Sequence, residues 1–202
     1  MRDFHPDDDF ASPEEYTPQS SPDDFDPGLP NQLLDFVLRS EPTEVVDTDL
    51  FAVMKKRRST RKFSKNPVEM WKIDKILAAA DTAPTAGNYQ GFEIFYIRDS
   101  AKKVSLVKAA NNQPYVNTPV VLVFCMNPDR IKLDFPKEVI SKFSIQDSTL
   151  AAAYSQLAAS ALGLSSIWIG MFDENKVKEI IGTDLRPTSM PVSYTHLRAH
   201  ET

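Results

Sequence analysis

The sequence is poor in the residues that several kinds of site require. A single cysteine, Cys125, excludes an internal disulfide. The apolar run around it, residues 120–126, predicts a small core side chain on a buried strand and not a nucleophile. Three histidines without metal-ligand spacing predict no metal site. Only six glycines occur in 202 residues and none forms GxGxxG, so a Rossmann dinucleotide site is not expected. This cysteine usage fits a reducing, cytoplasmic location.

Charge and proline are concentrated at the beginning of the chain. Residues 1–49 hold 14 acidic and two basic side chains, a net charge of −12, together with seven of the 15 prolines. The remainder carries +7. Such a segment cannot bury enough apolar surface to offset chain entropy. We therefore predict a disordered acidic, proline-rich extension over residues 1–45, without the pattern of a signal peptide, and a folded domain over residues 46–191.

One long stretch without charge, residues 150–172, raises the question of a membrane span. Its serines, Gln156 and Gly163 make it too polar and would split it, so we expect no membrane partner. The pattern instead predicts a buried helix, Ser148–Leu162, with one apolar face formed by Leu150, Ala153, Tyr154, Leu157, Ala158 and Ala161. Its alanines and serines would permit the close helix packing that a dimer interface needs.

The last eleven residues, 192–202, match a DNA string that is not biological. They can be back-translated into a transposase end followed by an adapter used in sequencing libraries. We predict that this segment is translated adapter without a packing role, and that the natural sequence continues differently after Pro191.

Helix-capping residues, apolar periodicity and helix-breaking residues predict the remaining helices and strands. Asp47 or Thr48 can cap a first helix, Leu50–Lys56, and Asn66 and Pro67 mark a helix start before an apolar stripe at Ile73, Ile76, Leu77 and Ala80. The further predicted elements are strands over Phe92–Ile97, Pro119–Met126 and Leu164–Ile169, and helices over Ala101–Ala110 and Glu174–Ile181. Their irregular alternation predicts an α+β fold, a sheet with helices on both faces.

Two short segments carry the chemistry. The arginine string, residues 57–61, places Arg57, Arg58 and Arg61 around hydroxyl side chains, as phosphate binding requires. The 84–90 loop, Pro-Thr-Ala-Gly-Asn-Tyr-Gln, allows backbone amides to approach a flat ligand. A nucleic-acid patch at Lys55–Lys62 is the alternative for the first segment. The patch lacks interleaved aromatics and the acidic extension would compete for it, so we expect no nucleic-acid partner.

These two segments, in this order and at this spacing, resemble the FMN-dependent nitroreductase family, and the likeness runs from about Leu50 to Pro191. The resemblance implies a mixed sheet flanked by helices on both faces, in an intertwined homodimer with FMN at the subunit interface. It implies that one subunit holds the phosphate, ribityl chain and polar ring edge with Arg57, Arg58, Ser59 and Arg61. The other subunit would line the flavin with Pro84, Thr85, Ala86, Gly87 and Asn88. The strand end at Ile169 and Gly170 would donate a backbone amide, that of Gly170, to the central ring nitrogen.

The function that the resemblance implies is electron transfer from NAD(P)H through FMN to a nitro, quinone or similar small-molecule acceptor, by a ping-pong mechanism. The flavin carries the chemistry, so no side chain is expected to be catalytic. Two alternatives stay open: a specialised flavin reaction such as reductive dehalogenation or flavin fragmentation, and a flavin-binding module without turnover. A specialised enzyme would need a lid, and the only candidate, residues 131–144, is short. The chain departs from the family at Gly91-Phe92, where Pro-Trp is common, and it lacks the family's last strand and C-terminal arm.

Overall fold

The computed structural model describes residues 49–61 and 66–195, with the side chains of 194 and 195 left out. The prediction for residues 1–45 lies outside this part of the chain. In order, the elements are α1 (Leu50–Lys56), α2 (Met70–Asp81), β1 (Phe92–Ile97), α3 (Ser100–Ala109), β2 (Val120–Met126), α4 (Lys137–Ala161), β3 (Leu164–Ile169), α5 (Glu174–Ile181) and β4 (Arg186–Thr195). Short 3-10 turns lie at Ala86–Asn88, Pro114–Val116 and Pro128–Arg130.

The observed helix ends confirm some of the predictions made from the sequence and correct others. Asp49 caps α1, accepting from the Phe51 amide at 2.9 Å, so the predicted caps at 47 and 48 are wrong. Helix α2 begins at Met70, four residues after the predicted cap, and has no side-chain cap. Asp173 caps α5 as the sequence indicates, accepting from the Lys176 amide at 3.1 Å. Gly182 ends that helix in the left-handed region, where a glycine has no Cβ to clash.

The four strands form one antiparallel sheet in the order β1-β2-β4-β3. An isolated parallel bridge, Ser59 to Ser166, adds the arginine string beside β3. The two outer strands are therefore β1, which follows the 84–90 loop, and β3, which carries the bridge. Helices α2 and α4 pack on one face, and α3 and α5 on the other. The predicted α+β class is confirmed.

Strand β2 lies at the centre of both hydrophobic cores. Its even-numbered residues, such as Phe124, face α2 and α4, and its odd-numbered residues, such as Val121 and Cys125, face α3 and α5. This alternation follows from the period of two in a strand. Burial raises the pKa of the Cys125 thiol to about 12, so this cysteine is an inert core side chain, as predicted.

Helix α4 differs most from its prediction. It starts at Lys137, eleven residues before the predicted start, so the second half of the proposed lid, residues 137–144, is the first part of this helix. Its buried face consists mainly of small and polar residues: Ser144, Asp147, Ser148, Ala151, Ala152, Ser155, Gln156 and Ala159. Of the predicted buried stripe, Leu150 is 39% and Tyr154 36% exposed, and the other four residues are only partly buried. Periodicity finds a stripe, but it does not show which side packs on the sheet.

The prediction that residues from Val192 onward have no packing role is wrong for the first two. Val192 is 0% exposed and Ser193 4%, and both pair with β2 and β3 within β4. The physical reason is that Val-Ser-Tyr-Thr continues the alternation that a strand needs. The adapter origin of the segment stays a prediction.

Candidate functional site

The arginine string leaves the end of α1 and runs along the outer edge of β3. Arg57 is the C-cap of the helix, with ψ near 122° that turns the chain into an extended path. The Thr60 amide then donates to the Ser166 carbonyl at 3.2 Å, next to the Ser59–Ser166 bridge. The side chains of the string remain exposed apart from Thr60. Guanidinium groups held in this way are available to an anionic group.

A chain of side-chain contacts joins the arginine string to the end of β3. The Arg61 guanidinium lies over the ring of Tyr115, 5.9 Å from its centroid. The Tyr115 hydroxyl donates to Gln113 Oε1, and Gln113 Nε2 donates to the Met171 carbonyl at 3.3 Å. Gln113 and Tyr115 were not among the predicted site residues. The polar run that precedes β2 was the signal that could have found them.

The end of β3 presents open backbone next to this network. Ile169 is buried, whereas Gly170 is exposed. Within the described part of the chain, a Cβ added at Gly170 would meet the Trp168 indole alone within 4 Å, with Nε1 at 3.2 Å. The absence of a side chain at this position leaves the backbone open to a ligand. The arginine string and the β3 end, both predicted, therefore lie in one region of the protein.

The 84–90 loop has an unusual backbone conformation. Gly87, Asn88 and Gln90 all have positive φ, at 57°, 59° and 45°. The Gln90 amide donates to Thr85 Oγ1 at 3.2 Å, and the Gln90 side-chain amide donates to Asn88 Oδ1 at 2.7 Å. These bonds close the loop on itself. An added Cβ at Gly87 would lie 2.9 Å from the Tyr89 ring, so another residue here would be strained by its φ and would require the Tyr89 ring to shift.

The sequence reasoning missed the anchor of this loop, Asp147 of α4. Its Oδ1 accepts from the Ala86 amide at 3.0 Å and its Oδ2 from the Gly91 amide at 3.2 Å. Burial raises the pKa of Asp147, while the two amide hydrogen bonds lower it by a smaller amount. Asp147 shares its buried face with Ala151 and Ser155, at helical spacing. A correct assignment of the face of α4 would have identified it.

A cavity of about 620 Å³ lies between the loop and α4. Its wall is formed by residues 84–86 of the loop and by α4 side chains that include Phe143, Gln146 and Leu150. The wall is mostly apolar, which suits a flat organic ligand. The predicted loop residues Pro84, Thr85 and Ala86 therefore line a real cavity.

The two parts of the candidate site lie far apart within one chain. The loop leads into the start of β1, and the arginine string borders β3 at the other edge of the sheet. Phe92 of β1 pairs with Met126 at the end of β2. Ser166 of β3 pairs with Ser193 of β4, which in turn pairs with Val120 at the start of β2. Four strand spacings across and six residues along place Ser59 and Phe92 roughly 25 Å apart. The arginine string and the start of β1 therefore lie at opposite edges of the sheet in one chain.

The described residues give little support to a metal site or a membrane span. Across 49–61 and 66–195, no group of three or more His, Cys, Asp or Glu is arranged to hold a metal ion. In the same residues, no helix is long and apolar enough to cross a membrane.

The fold and these features define an α+β protein with exposed arginines at one edge of its sheet and a glycine-containing cavity loop at the other. The nitroreductase family model matches residues 54–121 and 109–194, well over half of the chain. The chain belongs to the nitroreductase family.

Two curated relatives match this chain over similar lengths and with similar sequence identity. FMN reductase [NAD(P)H] of Bacillus subtilis is 28% identical over 148 residues, covering 67% of this chain, and the chain spans 59% of that relative's length. A putative NADH dehydrogenase/NAD(P)H nitroreductase of Archaeoglobus fulgidus is 30% identical over 131 residues, covering 62% of this chain and 72% of the relative.

Solved structures share the fold. NADPH:FMN oxidoreductase from Vibrio harveyi, solved with NAD+, superposes with a TM-score of 0.68 at 25% identity, covering 76% of this chain and 71% of that one. Nitroreductase A from Vibrio parahaemolyticus superposes with a TM-score of 0.67 at 26% identity, covering 76% and 69%.

Proposed function

We propose that this protein is an FMN-dependent oxidoreductase that passes electrons from NAD(P)H to a nitro, quinone or similar small-molecule acceptor. The observation that carries the proposal is the Ser59–Ser166 bridge, because it fixes the arginine string beside the strand end at Gly170. Relatives named as FMN reductase and nitroreductase support the same activity. When bound, FMN supplies the hydride and electron chemistry, as cofactors do in flavin enzymes.

The residues present fit such a cofactor. Arg57, Arg58 and Arg61 supply exposed guanidinium groups, which bind phosphate oxygens in pairs. Ser59 adds a hydroxyl beside them. At the strand end, the exposed backbone of Gly170 is open to a flat ring, with buried Ile169 behind it. The protein thus contributes binding, orientation and positive charge, and no side chain acts as a nucleophile.

We propose that the working unit is a homodimer whose sites combine the arginine string of one subunit with the 84–90 loop of the other. The separation of roughly 25 Å between Ser59 and the start of β1 in one chain supports this arrangement. The outward face of α4 also carries Leu150 and Tyr154, while the neighbouring α1 exposes Leu50, Phe51 and Met54, at 54%, 80% and 48%. Apolar side chains at this density are typical of an interface. A cytoplasmic location fits the buried, reduced Cys125.

Fluorescence-quenching titration of FMN tests the cofactor proposal. Arg58→Ala and Arg61→Ala should each weaken FMN binding by about 1.5–3 kcal/mol, the usual range for a hydrogen bond to a charged group. Asn88→Ala should cost less because it removes a neutral contact. Arg98→Ala is the matched control, since Arg98 is also exposed but follows β1 at the opposite edge. Equal affinities across this set would show that the arginine string is only a solvated helix end.

Turnover is tested separately from binding. The wild-type protein loaded with FMN should oxidise NAD(P)H in the presence of a quinone or nitro acceptor. FMN binding without any NAD(P)H oxidation would instead support a flavin-binding module.

A further inference from the structure

Asp147 connects the 84–90 loop to the long helix α4 at two points, Ala86 within the loop and Gly91 directly after it. Each carboxylate oxygen accepts a different backbone amide, that of Ala86 at 3.0 Å and that of Gly91 at 3.2 Å. The residue is only 2% exposed. Because both amides donate to one buried side chain, the distance between Ala86 and Gly91 is fixed from the helix.

The backbone between these amides needs such a constraint. Three of its residues, Gly87, Asn88 and Gln90, lie in the left-handed region, which non-glycine residues adopt only when their surroundings hold them there. Hydrogen bonds inside the loop close the turn but do not attach it to the rest of the fold. Asp147 makes that attachment on one side.

A second contact shows how closely the helix and loop are matched. The Gly91 carbonyl accepts from the Ser144 hydroxyl and from the Asn127 amide, at 2.9 Å for the latter. A Cβ added at Gly91 would lie 2.9 Å from Asp147 Oδ2 and 2.6 Å from Ile131 Cδ1. No residue larger than glycine fits here without moving Asp147 or Ile131.

Folding stability alone does not explain a carboxylate at this position. Burial raises the pKa of Asp147 by more than the two amide bonds lower it, so its charged form is less favourable here than in water. Ser155, further along the same buried face, keeps its hydrogen bond inside the helix, to the Ala152 carbonyl. Asp147 instead reaches out to the loop.

We propose that Asp147 is a positioning residue that holds the 84–90 loop in the conformation that lines the cofactor cavity. The proposal rests on the proposed FMN function, since the loop is the part that would line the flavin. Asp147 acts through the loop backbone and needs no contact with the reacting atoms.

Amide hydrogen exchange on the wild-type protein and on Asp147→Asn, both without added ligand, tests the attachment. Asparagine is the same size but offers one acceptor oxygen and turns an NH₂ group toward the second amide. Exchange at Ala86 and Gly91 should accelerate on the order of 10-fold to 100-fold, the equivalent of a lost hydrogen bond to a charged acceptor, while β2 amides keep their rates.

Two control variants separate positioning from general destabilisation. Ser155→Ala removes a buried polar group from the same helix without touching the loop. Val177→Ala weakens the core on the other face of the sheet. Neither should accelerate exchange at Ala86 and Gly91 relative to β2. The same local acceleration in Val177→Ala would overturn the proposal.

FMN titration of these proteins then links the loop to the cofactor. Asp147→Asn should weaken FMN at least several-fold, and the two controls should bind like wild type. Faster loop exchange with unchanged FMN affinity would overturn the positioning role. A wild-type protein that binds no FMN would instead refute the proposed function, and the exchange data would still decide whether Asp147 attaches the loop.

Discussion

The arginine string and the 84–90 loop are held in the fold in different ways. The string is attached by backbone contacts to β3 at Ser166, and its charged side chains extend into solvent. The loop is closed by its own hydrogen bonds and anchored to a buried carboxylate. The comparison shows a division of roles, in which the string supplies charge at low structural cost and the loop supplies shape that the surrounding fold must maintain.

The largest effect on folding is expected from Gly91→Ala. The new methyl group would lie 2.6 Å from Ile131 Cδ1 and 2.9 Å from Asp147 Oδ2, so the free energy of unfolding should fall by about 1–3 kcal/mol, the usual cost of overpacking. Gly170→Ala is the control, because its methyl group would meet, among the residues that the structure describes, the Trp168 indole alone, with Nε1 at 3.2 Å. Denaturant unfolding measures both. Equal losses for the two variants would mean that the loop is no more tightly packed than the strand end.

The pH dependence of stability should distinguish Asp147 from an ordinary surface acid. A carboxyl with a raised pKa binds its proton more tightly when folded, so stability falls as pH rises from about 3.9 through the raised pKa. Asp147→Asn lacks this group and should lack this contribution. The difference in unfolding free energy, wild type minus variant, should therefore decrease across that window. A difference that grows with pH would show that the amide bonds outweigh burial.

The smallest loss of folding stability is expected from Tyr115→Phe, next to the arginine string. Tyr115→Phe keeps the ring under Arg61 and removes only the hydroxyl that donates to Gln113. Because Gln113 and Arg61 are accessible to water, the loss of stability should be below about 1 kcal/mol. Thermal unfolding measures it. A loss as large as that of Gly91→Ala would show that the string is part of a rigid network.

The fold was largely predictable because several segments have only one physical interpretation. Strand Phe92–Ile97, strand Leu164–Ile169 and helix Glu174–Ile181 have the predicted bounds, since apolar runs, caps and glycines coincide there. The face of α4 was not predictable. Its buried side contains serines, Gln156 and Asp147, and only the tertiary fold shows that these residues meet the sheet and the loop.

The site was predictable in its parts and not in its arrangement. The arginines, the loop and Gly170 have recognisable chemistry at the level of sequence. Their placement at opposite edges of the sheet depends on strand order, which no local pattern encodes. The contacts of Asp147 and Tyr115 join segments far apart in sequence, so short-range spacing could not reveal them.

The central claim is that each FMN site takes its arginine string from one subunit and its loop from the other. Mixing two defective chains and letting their subunits exchange tests it most directly. One chain carries Arg58→Ala with Arg61→Ala. The other carries Gly87→Val, which places a side chain at φ 57° and 2.9 Å from the Tyr89 ring.

Neither variant alone should bind FMN well, but a heterodimer would pair the intact string of one chain with the intact loop of the other. In a random mixture of twofold dimers, about one quarter of the sites should regain wild-type affinity for FMN. If each site were formed within one chain, every site in the mixture would keep a defect. No recovery after confirmed subunit exchange would contradict the account.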